Sequence, residues 1–190
     1  MSNKVALIIA HRGYQPIEYG VTKKTLEDEG YSVITVSDGS GFAHATDDSK
    51  TEIMYTIEEL DLEDIAGLFL IGGSGALEHL DSPEMHDILK EMQELHKPFG
   101  AICISTRILA HAGVLGGRRA TGWDGDNQLT RIYQEYVVNY IKEPCVTDQN
   151  IVTAVGPSNA HEFAENIIAL LEMDNYDELT EDIELTEDIE

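Results

Sequence analysis

A chain of 190 residues has room for one ordinary domain with a sizeable core, and 42% hydrophobic with 25% charged residues is the balance of a water-soluble globular protein. Thirty-six acids against 12 bases give a net charge of −24, which repels nucleic acid and anionic membrane surfaces. No apolar run reaches the roughly 20 residues needed to cross a bilayer.

The opening "KVALIIA" is too short for a secretory h-region, so it reads as a first strand and the expected compartment is the cytoplasm. Thiols stay reduced there, and Cys103 and Cys145 are expected to be free. "VALIIAH" (5–11) is a continuous apolar run suited to a strand buried on both faces. "PIEYGVTKKTLEDEG" (16–30) follows as a helix, with Ile17, Val21 and Leu26 toward the sheet and Gly30 as its stop. "YSVITVSD" is a second strand, and "GLFLIGGSGALEHL" is a strand running into a glycine turn. In "SPEMHDILKEMQELHKP", Ser82 caps a helix, Pro83 takes its first position and Pro98 follows its end. "PFGAICISTRILAHAGVLGG" (98–117) is a buried strand passing directly into a helix closed by Gly113. "CVTDQNIVTAVGP" gives two short strands around Asp148-Gln149-Asn150, and "SNAHEFAENIIALLE" a closing helix with Ser158 as its cap.

Strands and helices alternate, so the fold class is α/β, with a mainly parallel sheet, helices on both faces and a small β-hairpin. The expected domain is residues 1–172. The perfect hexad repeat "ELTEDIELTEDIE" falls in an acidic tail, 173–190, expected to be disordered. Residues 172–190 hold ten acids and no base, which leaves 26 acids against 12 bases, a net of −14, on the rest.

Parallel sheets gather their working groups at the carboxyl ends of strands. His11, the run Gly72-Gly73-Ser74-Gly75 and Cys103 all fall at such ends, so three distant segments converge on one crevice. Cys103 sits on the joint between strand and helix, where a tight elbow lifts a side chain out of the sheet. The following helix N-terminus favours thiolate over thiol, so Cys103 is expected to titrate low. Periodicity alone also allows it to be a small buried hydrophobe. Glu18 lies among apolar neighbours on the first helix, where burial tends to keep a carboxyl protonated and able to pass a proton. A surface glutamate fits the same spacing.

The "GxxxIE" helix, "FLIGGSGALEHL", "GAICISTRILAHAGVLGGRRATGW" and "VTDQNIVTAVGPSNAHEFAENIIALL", in this order, resemble the ThiJ/PfpI superfamily of class I glutamine amidotransferase-like proteins. The resemblance covers about residues 3 to 172. It implies a flavodoxin-like three-layer sandwich, usually dimeric. It implies Cys103 as a reactive cysteine beside a protonated Glu18, with Gly73 and Ile104 supplying backbone N–H groups to an oxyanion pocket. His11, Gly72, Ser74, Gly75, Trp123 and Asp124 are candidate pocket residues. The activity implied is glyoxalase- or deglycase-like work on methylglyoxal or its adducts, with no cofactor, no metal and a small carbonyl as partner. A non-enzymatic oxidative-stress sensor or chaperone is the alternative, ahead of a cysteine peptidase or an isonitrile hydratase.

Two departures stand out. Ile104 follows the cysteine where peptidase-type members carry histidine, and Trp123 occupies the region where deglycase-type members often place one. His11 and His44 are the remaining candidates for a base. Cys145, beside Pro144, has no evident acid, base or helix N-terminus near it and reads as structural.

Overall fold

The computed structural model describes the backbone of residues 2–187 and side chains as far as 173. Its twelve strands are β1 (Lys4–Ile9), β2 (Arg12–Tyr14), β3 (Ser32–Ser37), β4 (Phe42–Ala45), β5 (Lys50–Glu52), β6 (Tyr55–Thr56), β7 (Gly67–Leu70), β8 (Phe99–Ile102), β9 (Arg119–Ala120), β10 (Asn139–Tyr140), β11 (Cys145–Asp148) and β12 (Ile151–Ala154). The helices are α1 (Pro16–Asp28), α2 (Ala76–Leu80), α3 (Pro83–Glu94), α4 (Thr106–His111), α5 (Leu129–Glu135) and α6 (Ala160–Glu187). Of the expected acidic tail, residues 174–190 lie outside the residues whose side chains are described, and the backbone of α6 continues to Glu187.

The central sheet has seven strands in the order β11-β12-β8-β7-β1-β3-β6, all parallel except the β11–β12 hairpin. Val5 to Ala10 and Leu68 to Ile71 are buried without a break, because these strands carry helices on both faces. α1 and α6 pack on one another and on the sheet, while α3, α4 and α5 pack in series, giving the three-layer sandwich expected from the sequence. Chain order reverses between β1 and β7, since β3 lies to one side of β1 and β7 to the other. A crevice therefore opens above their carboxyl ends.

Beside that crevice lies a three-stranded sheet, β2-β4-β5, which no sequence period announces. Ser82 caps α3, accepting from the Met85 N–H at 3.2 Å, as expected. Ser158 does not act as a cap: it lies inside a 3-10 turn, Pro157–Asn159, and its hydroxyl points to Asn159 Oδ1 at 3.2 Å. The inner face of α1 also differs from the expected one. Ile17 is 55% exposed, and the buried line is Glu18, Tyr19, Thr22 and Leu26. Pro16 and the Gln15 cap set the start of the helix, and the Gln15 N–H donates to Gly72 O at 2.8 Å. That tie rotates Glu18, not Ile17, toward the sheet.

Candidate active site

β8 ends at Ile102 and the chain turns at once into a 3-10 turn (Cys103–Ser105) and then α4. The turn is possible only because Cys103 takes φ 65°, a left-handed conformation rarely adopted by a residue with a side chain. Such a residue carries about 1–3 kcal/mol of backbone strain and persists where its surroundings enforce it. Three bonds do so here. The Thr106 hydroxyl donates to Cys103 O at 3.0 Å, the Trp123 N–H donates to the same oxygen at 3.2 Å, and the Ser105 hydroxyl donates to Ile71 O at 2.8 Å.

Glu18 reaches the same point from α1 and is fully buried. Its Oε2 accepts the Gly72 N–H at 2.9 Å, so the first turn of α1 grips both sides of residue 72. Its Oε1 has no hydrogen-bond partner although it is shielded from solvent. Gly72 has to be glycine, since a Cβ there would lie 2.5 Å from the Cys103 Cβ and 2.8 Å from Glu18 Oε2. The same position lies 3.1 Å from Cys103 Sγ, so thiol and carboxyl flank one point.

Burial is the largest influence on both groups and disfavours both charges. It pushes the Glu18 carboxyl up to about 7, against opposing hydrogen bonds from Cys103 and Gly72. It pushes the Cys103 thiol up to about 12, reinforced by the charge of Glu18 and opposed by the Ile104 and Gly73 N–H groups. The expected low-titrating thiol is therefore corrected: at the elbow, burial and a neighbouring carboxylate outweigh the two N–H donors. Between about 7 and about 12 the pair holds one proton in common.

The Gly73 and Ile104 N–H groups, one on the glycine turn and one on the elbow, are the backbone groups that favour the thiolate. Gly73 needs its φ of 125°, and a Cβ on it would fall 2.2 Å from Gly13 O. Gly75 is tighter still, at 1.8 Å from Arg12 O. The two segments nest backbone to backbone, with the Gly75 N–H donating to Gly13 O at 3.1 Å. Ser74 is exposed on the rim, its hydroxyl facing Gly13.

The other candidates are held by other partners. The His11 ring lies against Gly39, and its backbone N–H donates to Asp38 Oδ1 at 2.7 Å. His44 donates its backbone N–H to His11 O at 2.9 Å. Glu18 is the charged group that raises the Cys103 thiol. Asp124 accepts the Leu129 N–H at 2.8 Å and so serves the start of α5. Trp123 is half-buried beside the elbow under the Arg107 guanidinium, which lies 5.4 Å from its ring centroid. Sequence reasoning missed Arg107, which is only 3% exposed and forks onto both carboxylate oxygens of Asp126 at 2.6 and 2.9 Å. Its signal was a lone arginine among the apolar positions of "STRILAHA". The Cys145 thiol is also pushed up to about 12, by burial and then by the charge of Glu162.

An α/β sandwich with a cysteine on a left-handed elbow, and a buried acid against it, defines a class of elbow-cysteine proteins. Residues 3–170 match the DJ-1/PfpI family, and the chain belongs to that family. It is similar to the putative cysteine protease YraA of Bacillus subtilis, at 28% identity over 90% of this chain and 99% of that one. It is also similar to deglycase PfpI of Pyrococcus furiosus, at 24% identity over 87% of this chain and 98% of the relative. Among solved structures, a ThiJ/PfpI domain protein from Brachyspira murdochii superposes with a TM-score of 0.85 at 24% identity, covering 90% of this chain and 98% of that one.

Proposed function

We propose that this protein is a cysteine-dependent enzyme acting on small reactive carbonyls, with methylglyoxal or its early adducts as the substrate class. The observation that carries the reading is the unpartnered Oε1 of buried Glu18, beside a thiol that two N–H groups address. A carboxyl that ionises near about 7 suits proton transfer in both directions at neutral pH.

Glu18 carboxylate takes the thiol proton as Cys103 sulfur bonds to the aldehyde carbon, and the Gly73 and Ile104 N–H groups hold the new alkoxide. Glu18 returns that proton to the alkoxide, giving a hemithioacetal. It then removes the hydrogen on the same carbon as a proton and delivers it to the neighbouring carbonyl carbon by way of an enediol, while the hydroxyl proton passes to the neighbouring oxygen, leaving a 2-hydroxyacyl thioester. Water cleaves the thioester to the hydroxy acid and frees the thiol. Methylglyoxal plus water balances as lactate, with no oxidant or reductant.

Wild type should release lactate from methylglyoxal at least about 100-fold faster than Cys103→Ser or Glu18→Leu, the scale expected when a nucleophile or proton carrier is lost. Equal release by all three overturns the reading. A second reading, a thiol-based oxidative-stress sensor, is favoured by Trp123 standing at the elbow where an imidazole base would help turnover. It predicts no lactate from any variant, with graded peroxide adding oxygen to Cys103 before Cys145.

A further inference from the structure

α2 has five residues, too few to hold its own position, yet it follows the turn that carries the Gly73 N–H. Two carboxylates fix it at opposite ends. Asp38, just past β3, takes the backbone N–H of His11 on Oδ1 at 2.7 Å and Nδ1 of His79, within α2, on Oδ2 at 2.6 Å. It thereby ties together the two segments that nest at Gly13 and Gly75. Asp81, the residue that ends α2, takes Nε2 of His86 from α3 at 2.6 Å and Nδ1 of His111 at 2.6 Å. His111 is the last residue of α4, the helix that leaves the elbow, and its ring packs on Tyr136 with centroids 5.3 Å apart.

A carboxylate only accepts, so each of these imidazole nitrogens is the donor and the tautomers follow: Nδ1–H on His79 and His111, Nε2–H on His86. The pairs are partly shielded, with side-chain exposures of 18% to 25%. Charge-assisted bonds in such settings are stronger than neutral ones. One chain of contacts thus runs from β3 through α2 to the elbow helix, and Gly73 and Ile104 belong to the turns that lead into α2 and α4.

We propose that Asp38 and Asp81, acting through His79, His86 and His111, are positioning residues that set the Gly73 donor turn against the Cys103 elbow. The inference rests on the reading of Gly73 and Ile104 as donors to the sulfur, and it does not require the carbonyl chemistry. If the network sets that spacing, loosening it withdraws one donor from the thiolate, and Cys103 becomes harder to ionise. Glu18, the charged group acting on the sulfur, is untouched by such changes.

The test is iodoacetamide alkylation of Cys103 in the full chain across pH, read by peptide mass spectrometry so that Cys145 does not interfere. His79→Leu and His111→Leu should slow alkylation about tenfold at each pH where the chain stays folded, because a thiol harder to ionise by one pH unit holds a tenfold smaller thiolate fraction. Asparagine places an N–H near the position of Nδ1, whereas glutamine places one near Nε2. His79→Asn and His111→Asn should therefore recover most of the wild-type profile, and His79→Gln and His111→Gln should not. Folded leucine variants with the wild-type profile overturn the proposal, as does an equal profile for asparagine and glutamine. Should the leucine variants not fold, the contrast between asparagine and glutamine decides. Methylglyoxal left unconverted by wild type, with the alkylation differences intact, would sink the carbonyl reading and leave this one standing.

Discussion

Glu18 and Cys103 restrain one another, and replacing the acid separates its two effects. Its charge holds the thiol up, while the proposed turnover draws on its proton traffic. Glu18→Gln keeps the size and an N–H donor but removes charge and basicity. Cys103 should then alkylate with a lower midpoint and faster at pH 7.5, while lactate release falls at least about 100-fold. A slower alkylation would show that Glu18 activates the thiol rather than restraining it. The same variant tests stability. Glu18 in the folded chain is raised to about 7, above its unfolded value of about 4.3, so the folded state binds the extra proton between those limits. Its contribution is complete below about pH 4 and is lost as pH rises through about 7. Wild type should lose on the order of 3 kcal/mol of unfolding free energy from this group across that window, by the worth of a pKa unit. Denaturant melts at intervals of pH should show that slope in wild type and a flatter line in Glu18→Gln. Cys103 stood out in the sequence as a thiol on a joint, whereas the spacing around Glu18 fitted a surface acid as well and only the family resemblance singled it out. The Asp38–His79 and Asp81–His111 pairs were not, since their members lie 41 and 30 residues apart and nothing local marks either one.

At the scale of elements, the site depends on backbones that approach more closely than side chains permit. A Cβ on Gly75 would stand 1.8 Å from Arg12 O, a contact that only a shift of the whole turn could relieve. Gly113, by contrast, has φ 83° and open space around its Cβ position, so alanine there meets only the left-handed backbone penalty. Gly113→Ala should cost about 1 kcal/mol, which lowers Tm by about 2–4 °C in a chain of this size. Gly75→Ala should cost several times as much and should also weaken the donor turn, lowering lactate release in whatever fraction stays folded. Calorimetry of the two variants side by side checks this, and equal Tm losses would contradict the nested turn. Sequence period found the long buried strands, the glycine turn and the elbow, because burial on both faces imposes a continuous apolar run. It could not find β2, β4 and β5, which are three or four residues long and hold one, two and no buried positions in turn, too few to show a period. It also misjudged the rotation of α1 by about one residue, because the tie from Gln15 to Gly72 that sets it spans two distant segments.

At the scale of the molecule the dominant feature is the charge of −24, in which residues 172–190 account for ten acids and no base. Repulsion among exposed like charges opposes compactness and fades as salt shortens its reach, from a Debye length of about 10 Å at 0.1 M to about 3 Å at 1 M. Full-length chain should therefore gain on the order of 3–6 °C in Tm between 0.1 and 1 M KCl, equivalent to about 1–2 kcal/mol. α6 anchors itself earlier in the chain, through buried Phe163, Ala164, Ile167, Leu170 and Leu171, with Phe163 set edge-on to Phe69 at 6.1 Å. A chain ending at Glu172 keeps all of those contacts and loses most of the repulsion. It should melt above the full-length protein at 0.1 M KCl, respond less steeply to salt, and meet it near 1 M, with lactate release unchanged. If the shorter chain melts lower at 1 M KCl, where repulsion is screened, then residues 173–190 contribute attractive contacts of their own, and the tail belongs to the fold rather than beside it.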